Sequence, residues 1–164
     1  MASRQFLAPR LRPRTCAALV LAAAALLPRA AAASGAAFEG TIRVPRTAEA
    51  PLGWTAAGCT LRAVSLRNYP SAEDISRARR ENPEDKSWVW WDFHVENRSA
   101  SPCEIRVSVD VYDRAGRIVK SSDRTDTVDE HRMDDDIRVS TRMRTLDIVD
   151  SPKAHLRAEI GRKN

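Results

Sequence analysis

The chain has 164 residues, with 27 Lys and Arg against 22 Asp and Glu, 43% hydrophobic residues and three cysteines. Its formal charge of +5 invites a nucleic-acid reading, but the surplus is local: Arg4, Arg10, Arg12, Arg14 and Arg29 precede Ser34, and no acid does. From Ser34 onward the charges balance, which removes whole-molecule attraction to DNA, RNA or an anionic membrane as a basis for function.

The first residues have the three parts of a secretory signal. A basic stretch leads into an apolar run from Cys16 to Leu27, about 12 residues, which suits a signal core and falls short of the roughly 20 that span a bilayer. Pro28 ends the run and Ala31-Ala32-Ala33 offers an A-x-A site. Residues 1–33 are therefore predicted to be a signal peptide cleaved before Ser34, with a second candidate cut after Ala37. A lipoprotein cysteine would follow the apolar run, whereas Cys16 opens it; a transit peptide would show a polar face, and twin-arginine export needs an adjacent arginine pair. The predicted location is secreted or periplasmic, without a transmembrane segment in the mature form.

Residues 34–58 mix Ala, Gly, Pro and Thr with short apolar patches and read as a flexible or loosely docked arm. Residues 59–164 suit one domain with one core. In an exported chain Cys59 and Cys103 are expected to form a disulfide, closing a loop of about 45 residues and contributing roughly 4 kcal/mol through chain entropy. The alternative, a redox or metal-binding thiol pair, lacks both C-x-x-C spacing and a nearby set of histidines.

From Cys59 to Asn68 the apolar positions Leu61, Val64 and Leu66 are unevenly spaced, which suggests a strand with a bulge. Ser71 is a candidate N-cap and Asn82-Pro83 a stop, so a short helix or loop insertion is expected near 71–86. Val89, Trp91, Phe93 and Val95 then alternate with Trp90, Asp92, His94 and Glu96, the pattern of a half-buried strand. After the turn-rich stretch 97–102, Ile105, Val107, Val109 and Val111 alternate again, giving either a hairpin or a connection between sheets. Asp113-Arg114-Ala115-Gly116 makes a tight turn into a strand at Ile118 and Val119. Ile137, Val139 and Met143 mark another strand, and Leu156, Ala158 and Ile160 the last. The expected fold is an all-β, immunoglobulin-like antiparallel β-sandwich of about seven strands.

The stretch from Phe93 to Lys120 resembles bacterial FxLYD-type envelope domains. Val95-Glu96-Asn97-Arg98-Ser99 matches their V-x-N-x-S/T turn, and Val109-Asp110-Val111-Tyr112-Asp113 with Gly116 matches their second signature. Val109 and Val111 stand where that signature has Phe and Leu, and Cys103 is an addition. The resemblance implies an extracytoplasmic binding or structural module without established catalytic residues.

Candidate chemistry is sparse. The acids Asp123, Asp126, Asp129, Glu130 and Asp134 to Asp136 lack the spacing and glycine of a calcium loop. His131, Met133 and Met143 form a copper(I)-type ligand set, the basis of an alternative reading as a periplasmic copper-binding protein; in phase with Ile137 and Val139, however, Met143 also reads as core. There is no G-x-S-x-G elbow, reactive-cysteine context or glycine-rich phosphate loop, and His94 and His155 fall on outward faces. No enzyme and no cofactor are expected. Asn97-Arg98-Ser99 is a glycosylation sequon in a eukaryotic setting, while in a bacterial one Asn97 is expected to serve the turn itself.

The feature most informative for function is aromatic: with Val89 and Trp91 facing inward, Trp88 and Trp90 face outward. Leu52 and Trp54, or the insertion between Tyr69 and Ser87, are expected to cover them; otherwise they bind an envelope protein or glycan. Arg138, Arg142 and Arg144 share one strand phase and extend the candidate surface, unless Asp110 or Glu159 neutralises them across strands.

Overall fold

The computed structural model describes residues 35–163, so the predicted signal peptide and its cleavage site lie outside the described residues. Eight strands and two short helices follow one another: β1 (Gly35–Arg43), β2 (Ala50–Ala56), β3 (Cys59–Arg67), α1 (Ala72–Arg80), β4 (Lys86–Asn97), β5 (Cys103–Tyr112), β6 (Ile118–Val128), β7 (Asp135–Arg144), α2 (Thr145–Asp150) and β8 (Lys153–Arg162). They form two antiparallel sheets, a back sheet in the order β1-β8-β5-β6 and a front sheet in the order β2-β3-β4-β7.

Period-two alternation builds the core between the sheets. Val89, Trp91, Phe93 and Val95 of β4 are almost wholly buried against Ile105, Val107, Val109 and Val111 of β5, with Ile137 and Val139 of β7 and Leu156 and Ile160 of β8. Each such side chain contributes roughly 1.5–3 kcal/mol on burial. In β3 the register with β4 shifts between Leu61 and Ala63, a bulge at Arg62. The extra residue lets Leu61, Val64 and Leu66 all face the core despite their uneven spacing.

The chain changes sheet between β4 and β5, resolving the hairpin-or-crossover alternative in favour of the crossover. β5 and β6 form the hairpin across Asp113 to Gly116. β7 then lies beside β6 across the sandwich edge, where the Thr141 hydroxyl donates to Ser122 Oγ at 3.2 Å, and β8 returns next to β5. The sequence 8-5-6-7 around the sandwich is a Greek key, as in immunoglobulin-like folds.

The described residues of this segment, 35–58, depart from the expected arm. β1 pairs with β8 from Gly35↔Gly161 to Arg43↔Lys153, and β2 pairs with β3, so each sheet has an edge strand from this segment and the strand number rises to eight. Only one face of each strand is half-buried, and it carries small or isolated apolar residues, Ala36, Phe38, Gly40 and Ile42 in β1. Phe38 stacks on Trp54 with ring centroids 5.9 Å apart. Gly40 makes room for the indole, since a Cβ there would come within 3.2 Å of Trp54 Cζ2.

The insertion between β3 and β4 is the helix α1. Ser71 Oγ accepts from the Asp74 amide, and the Asp74 carboxylate accepts from the Ser71 hydroxyl and amide; the hydroxyl's bond first, then the amide's, hold the Asp74 carboxyl below its ordinary range. The second helix, α2, is a single short turn before Ser151-Pro152 that the strand pattern does not announce.

Cys59 and Cys103 are bonded, joining the start of β3 in the front sheet to the start of β5 in the back sheet, with Cα atoms 6.5 Å apart. Beside them the β2–β3 turn needs glycine: Gly58 has φ +86°, and a Cβ would stand 2.6 Å from Ser99 Cβ.

Candidate binding face

The residues of β4 that turn away from the core are Lys86, Trp88, Trp90, Asp92 and His94; across the pairing with β7 they meet Arg144, Arg142, Ser140, Arg138 and Asp136 in that order. The result is one outward ladder whose two ends differ. The Arg142 guanidinium lies over the Trp88 ring at 5.9 Å, directly across the strands, and that of Arg138 lies over Trp90 at 5.0 Å, one step along the diagonal. Each such contact contributes about 0.5–1 kcal/mol when exposed.

The expected covers lie elsewhere. Trp54 is committed to Phe38, Leu52 and Tyr69 pack against the core, and Arg46 rather than a tryptophan covers the Tyr69 ring. Trp88 is 49% exposed because β3 ends at Arg67, opposite Trp90, leaving Trp88 flanked by a strand only on the β7 side. On its other side Asn68, at φ +57°, donates its side-chain amide to the Trp88 carbonyl at 2.6 Å.

Toward His94 the ladder becomes a closed polar network. Asp92 points outward yet is fully buried, because Arg67 Nε at 2.5 Å from β3 and Arg138 Nε at 2.7 Å from β7 close over it. Hydrogen bonding to Asp92 raises the Arg138 pKa above its ordinary value. Arg67 also reaches Asp136 at 3.3 Å, and Asp136 Oδ1 lies 2.6 Å from His94 Nδ1. His94 Nε2 faces Ser65 Oγ at 3.1 Å and Glu49 at 3.3 Å.

Ser65, His94 and Asp136 have the distances of a Ser–His–Asp relay, assembled from β3, β4 and β7 with no contiguous motif to announce it. Their surroundings differ from such a site. Glu49 competes with Ser65 for the same imidazole nitrogen, and Arg67, the nearby cation for an oxyanion, is engaged by Asp92 and Asp136. The contacts of the trio tie β3, β4 and β7 together on the outward face.

The candidate arginines thus separate. Arg144 is held by both oxygens of Asp147 at 2.9 Å and by Glu84 at 3.1 Å, which raises its pKa, with the Asp147 hydrogen bond the largest cause. Arg138 belongs to Asp92. Arg142, like Lys86, has no acidic partner among the described residues. The neutralising partners expected at Asp110 and Glu159 lie on the back sheet, where Asp110 binds Arg157 at 2.7 Å and Ser121 at 2.6 Å. That sheet's outer face bears a shallow depression of about 390 Å³ among Arg106, Ser108, Asp110, Asp123, Arg157 and Glu159, in which Arg106 pairs with Asp123 and Arg157 with Asp110.

The structure does not bring the copper-type ligands together. His131 and Met133 sit in the β6–β7 connection, with Met133 55% exposed. Met143 is buried near the other end of β7, a strand length of roughly 25–30 Å away. Of the acids around them, Asp134 pairs with Arg62 and Asp126 with Arg124. Among the described residues no group of three or more His, Cys, Asp or Glu side chains is placed to hold a metal ion.

Asn97 is fully buried and organises the connections at the disulfide end. Its amide nitrogen donates to the carbonyls of Ser101, Val128 and Asp129, and its oxygen accepts from the Ser99 amide and hydroxyl. In the folded chain that nitrogen is enclosed and engaged, so Asn97 serves the turn and not a glycan.

No protein-family model matches the chain, and no curated protein matches it. Fold and face together define an antiparallel Greek-key β-sandwich with an aromatic and cationic strip at one end of its front sheet.

Proposed function

We propose that the protein is a non-catalytic, secreted or periplasmic binding module of the cell envelope, of FxLYD-like type, that holds its partner at the Trp88 end of the front sheet. The observation that carries this reading is Trp88 itself, half-exposed on a regular sheet face and topped by an arginine without an acidic partner. A large indole left in water beside an unneutralised guanidinium gains most by being covered, and Trp and Arg are the residues that dominate binding hot spots. The N-terminal signal pattern and the disulfide between Cys59 and Cys103 support an oxidising location. The strand–turn–strand signature from Val95 to Gly116 supports the FxLYD-type assignment.

The test is photo-crosslinking in the envelope from an aromatic probe residue at position 88, which keeps a ring in place of the indole, against the same probe at exposed Met133 on the far end of the sheet. A discrete adduct specific to position 88 is expected. Relative to the wild-type chain, Trp88→Ala should reduce capture about tenfold or more while still unfolding cooperatively, its melting temperature lowered by no more than about 5 °C. Equal adducts at both positions would refute the reading.

A further inference from the structure

We infer that the outer edge of β1 pairs with the same edge of a second copy of this chain, the two β1 strands running antiparallel about Thr41 and joining two back sheets into one. This edge belongs to the back sheet, so the contact is independent of the binding role proposed for Trp88 on the front sheet.

The first observation is which backbone groups are free. Val44 and Pro152 continue the β1–β8 register, and the Val44 amide donates to the Pro152 carbonyl at 3.3 Å. Hydrogen-bonded positions alternate along an antiparallel ladder, so Ala36, Phe38, Gly40 and Ile42 turn their amides and carbonyls toward β8. Gly35, Ala37, Glu39, Thr41 and Arg43 turn theirs to the open side, where no further strand of the sheet follows.

The second is that this edge lacks the features that keep the other edges from pairing, namely proline, bulges and closely spaced charges. β2 carries Pro51 and a register break between Pro51 and Trp54. Of the other two edge strands, β6 has four charged residues in its 11 and β7 has five in its 10. β1 runs for 9 residues in unbroken register, with Glu39 its one internal charge and Arg43 at its end.

The third is charge, which selects both the partner and the register. Arg43 stands directly opposite Lys153, and neither has an acidic partner among the described residues; like charges so placed repel. Glu39 stands opposite Arg157, which Asp110 already holds, and its side chain is 75% exposed with His155 3.7 Å away. Outward groups can bond only to outward groups, so a two-fold axis between copies has to pass through a residue of β1. At Glu39 it would set two carboxylates face to face, and at Gly40 it would put Arg43 opposite Ala37. At Thr41 it puts Glu39 of each copy opposite Arg43 of the other, and the three outward pairs exchange about six backbone hydrogen bonds. Confined to residues 39–43, the contact is smaller than the roughly 800 Å² per partner of a stable complex, so the dimer is weak and reversible.

Sedimentation of the exported, purified chain between about 1 μM and about 1 mM should show monomer giving way to dimer. Glu39→Arg and Arg43→Glu should each weaken dimerisation by about tenfold, and the double variant should return to within about threefold of wild type. Thr41→Pro should weaken it as well, because it removes an amide that β8 does not use. Thr41→Cys should crosslink on oxidation, its Cα atoms about 5.5 Å apart across the axis, whereas Ala37→Cys should not. Cooperative unfolding within about 5 °C of wild type shows that a variant is folded; if Thr41→Pro fails that check, the charge exchange decides. A chain that stays monomeric throughout the range overturns the inference, as does a double variant no better than either single one. A dimer that does not crosslink through position 41 overturns it too, and assigns another register or an exchange of β1 between copies.

Discussion

The two ends of the β4–β7 ladder share strands, register and twist, yet one is closed and the other open. At the His94 end a carboxylate on the outward face is sealed by guanidinium groups from both neighbouring strands. At the Trp88 end the neighbouring strand has stopped, an indole stands half in water, and Arg142 and Lys86 have no acids to meet. An outward residue is buried or available according to whether strands run on both sides of it, because long side chains from flanking strands do the covering. The length of β3, rather than any property of Trp88, makes the face accessible.

The largest expected effect lies beyond the closed end, where the sheets are crosslinked. Replacing Cys59 and Cys103 together with alanine should lower unfolding stability by about 4 kcal/mol, read from denaturant midpoints, with strain release able only to reduce that figure. A loss below about 1 kcal/mol would mean that the hydrogen bonds of Asn97 hold this end unaided. Next comes the contrast within the ladder. Asp92→Ala leaves Arg67 and Arg138 facing each other across the space of the lost carboxylate, at a cost of about 2 kcal/mol once their partial exposure is taken into account. Arg142→Ala should change stability by no more than about 1 kcal/mol, the contribution of its exposed contact with the Trp88 ring. Equal losses would erase the distinction between the two ends.

The smallest effect concerns the helix beside the open end. The Asp74 carboxyl is depressed below its ordinary 3.8 by hydrogen bonds from Ser71. A carboxyl depressed in the folded state stabilises above its unfolded pKa, and that contribution disappears as pH falls through the lower folded value. Acidification below about 3.8 should therefore fray α1 before the sheets respond, seen as earlier amide exchange at Ile75 to Ala78 than in β4. Asp74→Asn should remove the pH dependence of the protection of those amides, taken relative to their intrinsic exchange rates.

The sandwich core is legible in the sequence because β4 and β5 carry uninterrupted period-two patterns of large apolar residues, and β7 and β8 keep the same period with Thr141, Ala154 and Ala158 at some inward positions; the bulge in β3 is legible from the spacing of Leu61, Val64 and Leu66. β1 and β2 are not, since an edge strand buries only half of one face and can do so with Ala36, Gly40 and a single Phe38. The outward direction of Trp88, Trp90 and the β7 arginines follows from the same alternation. What alternation cannot supply is lateral neighbours. That Arg138 belongs to Asp92, Arg144 to Asp147, and Ser65 to His94 depends on which strands lie side by side, and on a connection between them that local pattern does not encode.

The place next to β8 in the back sheet is taken by β1, the first described strand, so Gly35 lies opposite Gly161. Such a ladder has no local nucleus: its two halves are separated by nearly the whole described sequence, and the edge of β8 stays open until both are present. A chain emerging from its N-terminus therefore carries β1 unpaired until the last strand appears. Folding is timed by completion, and a shortened product that lacks β8 strands β1 as a bare edge, a target for proteases or for a neighbouring chain.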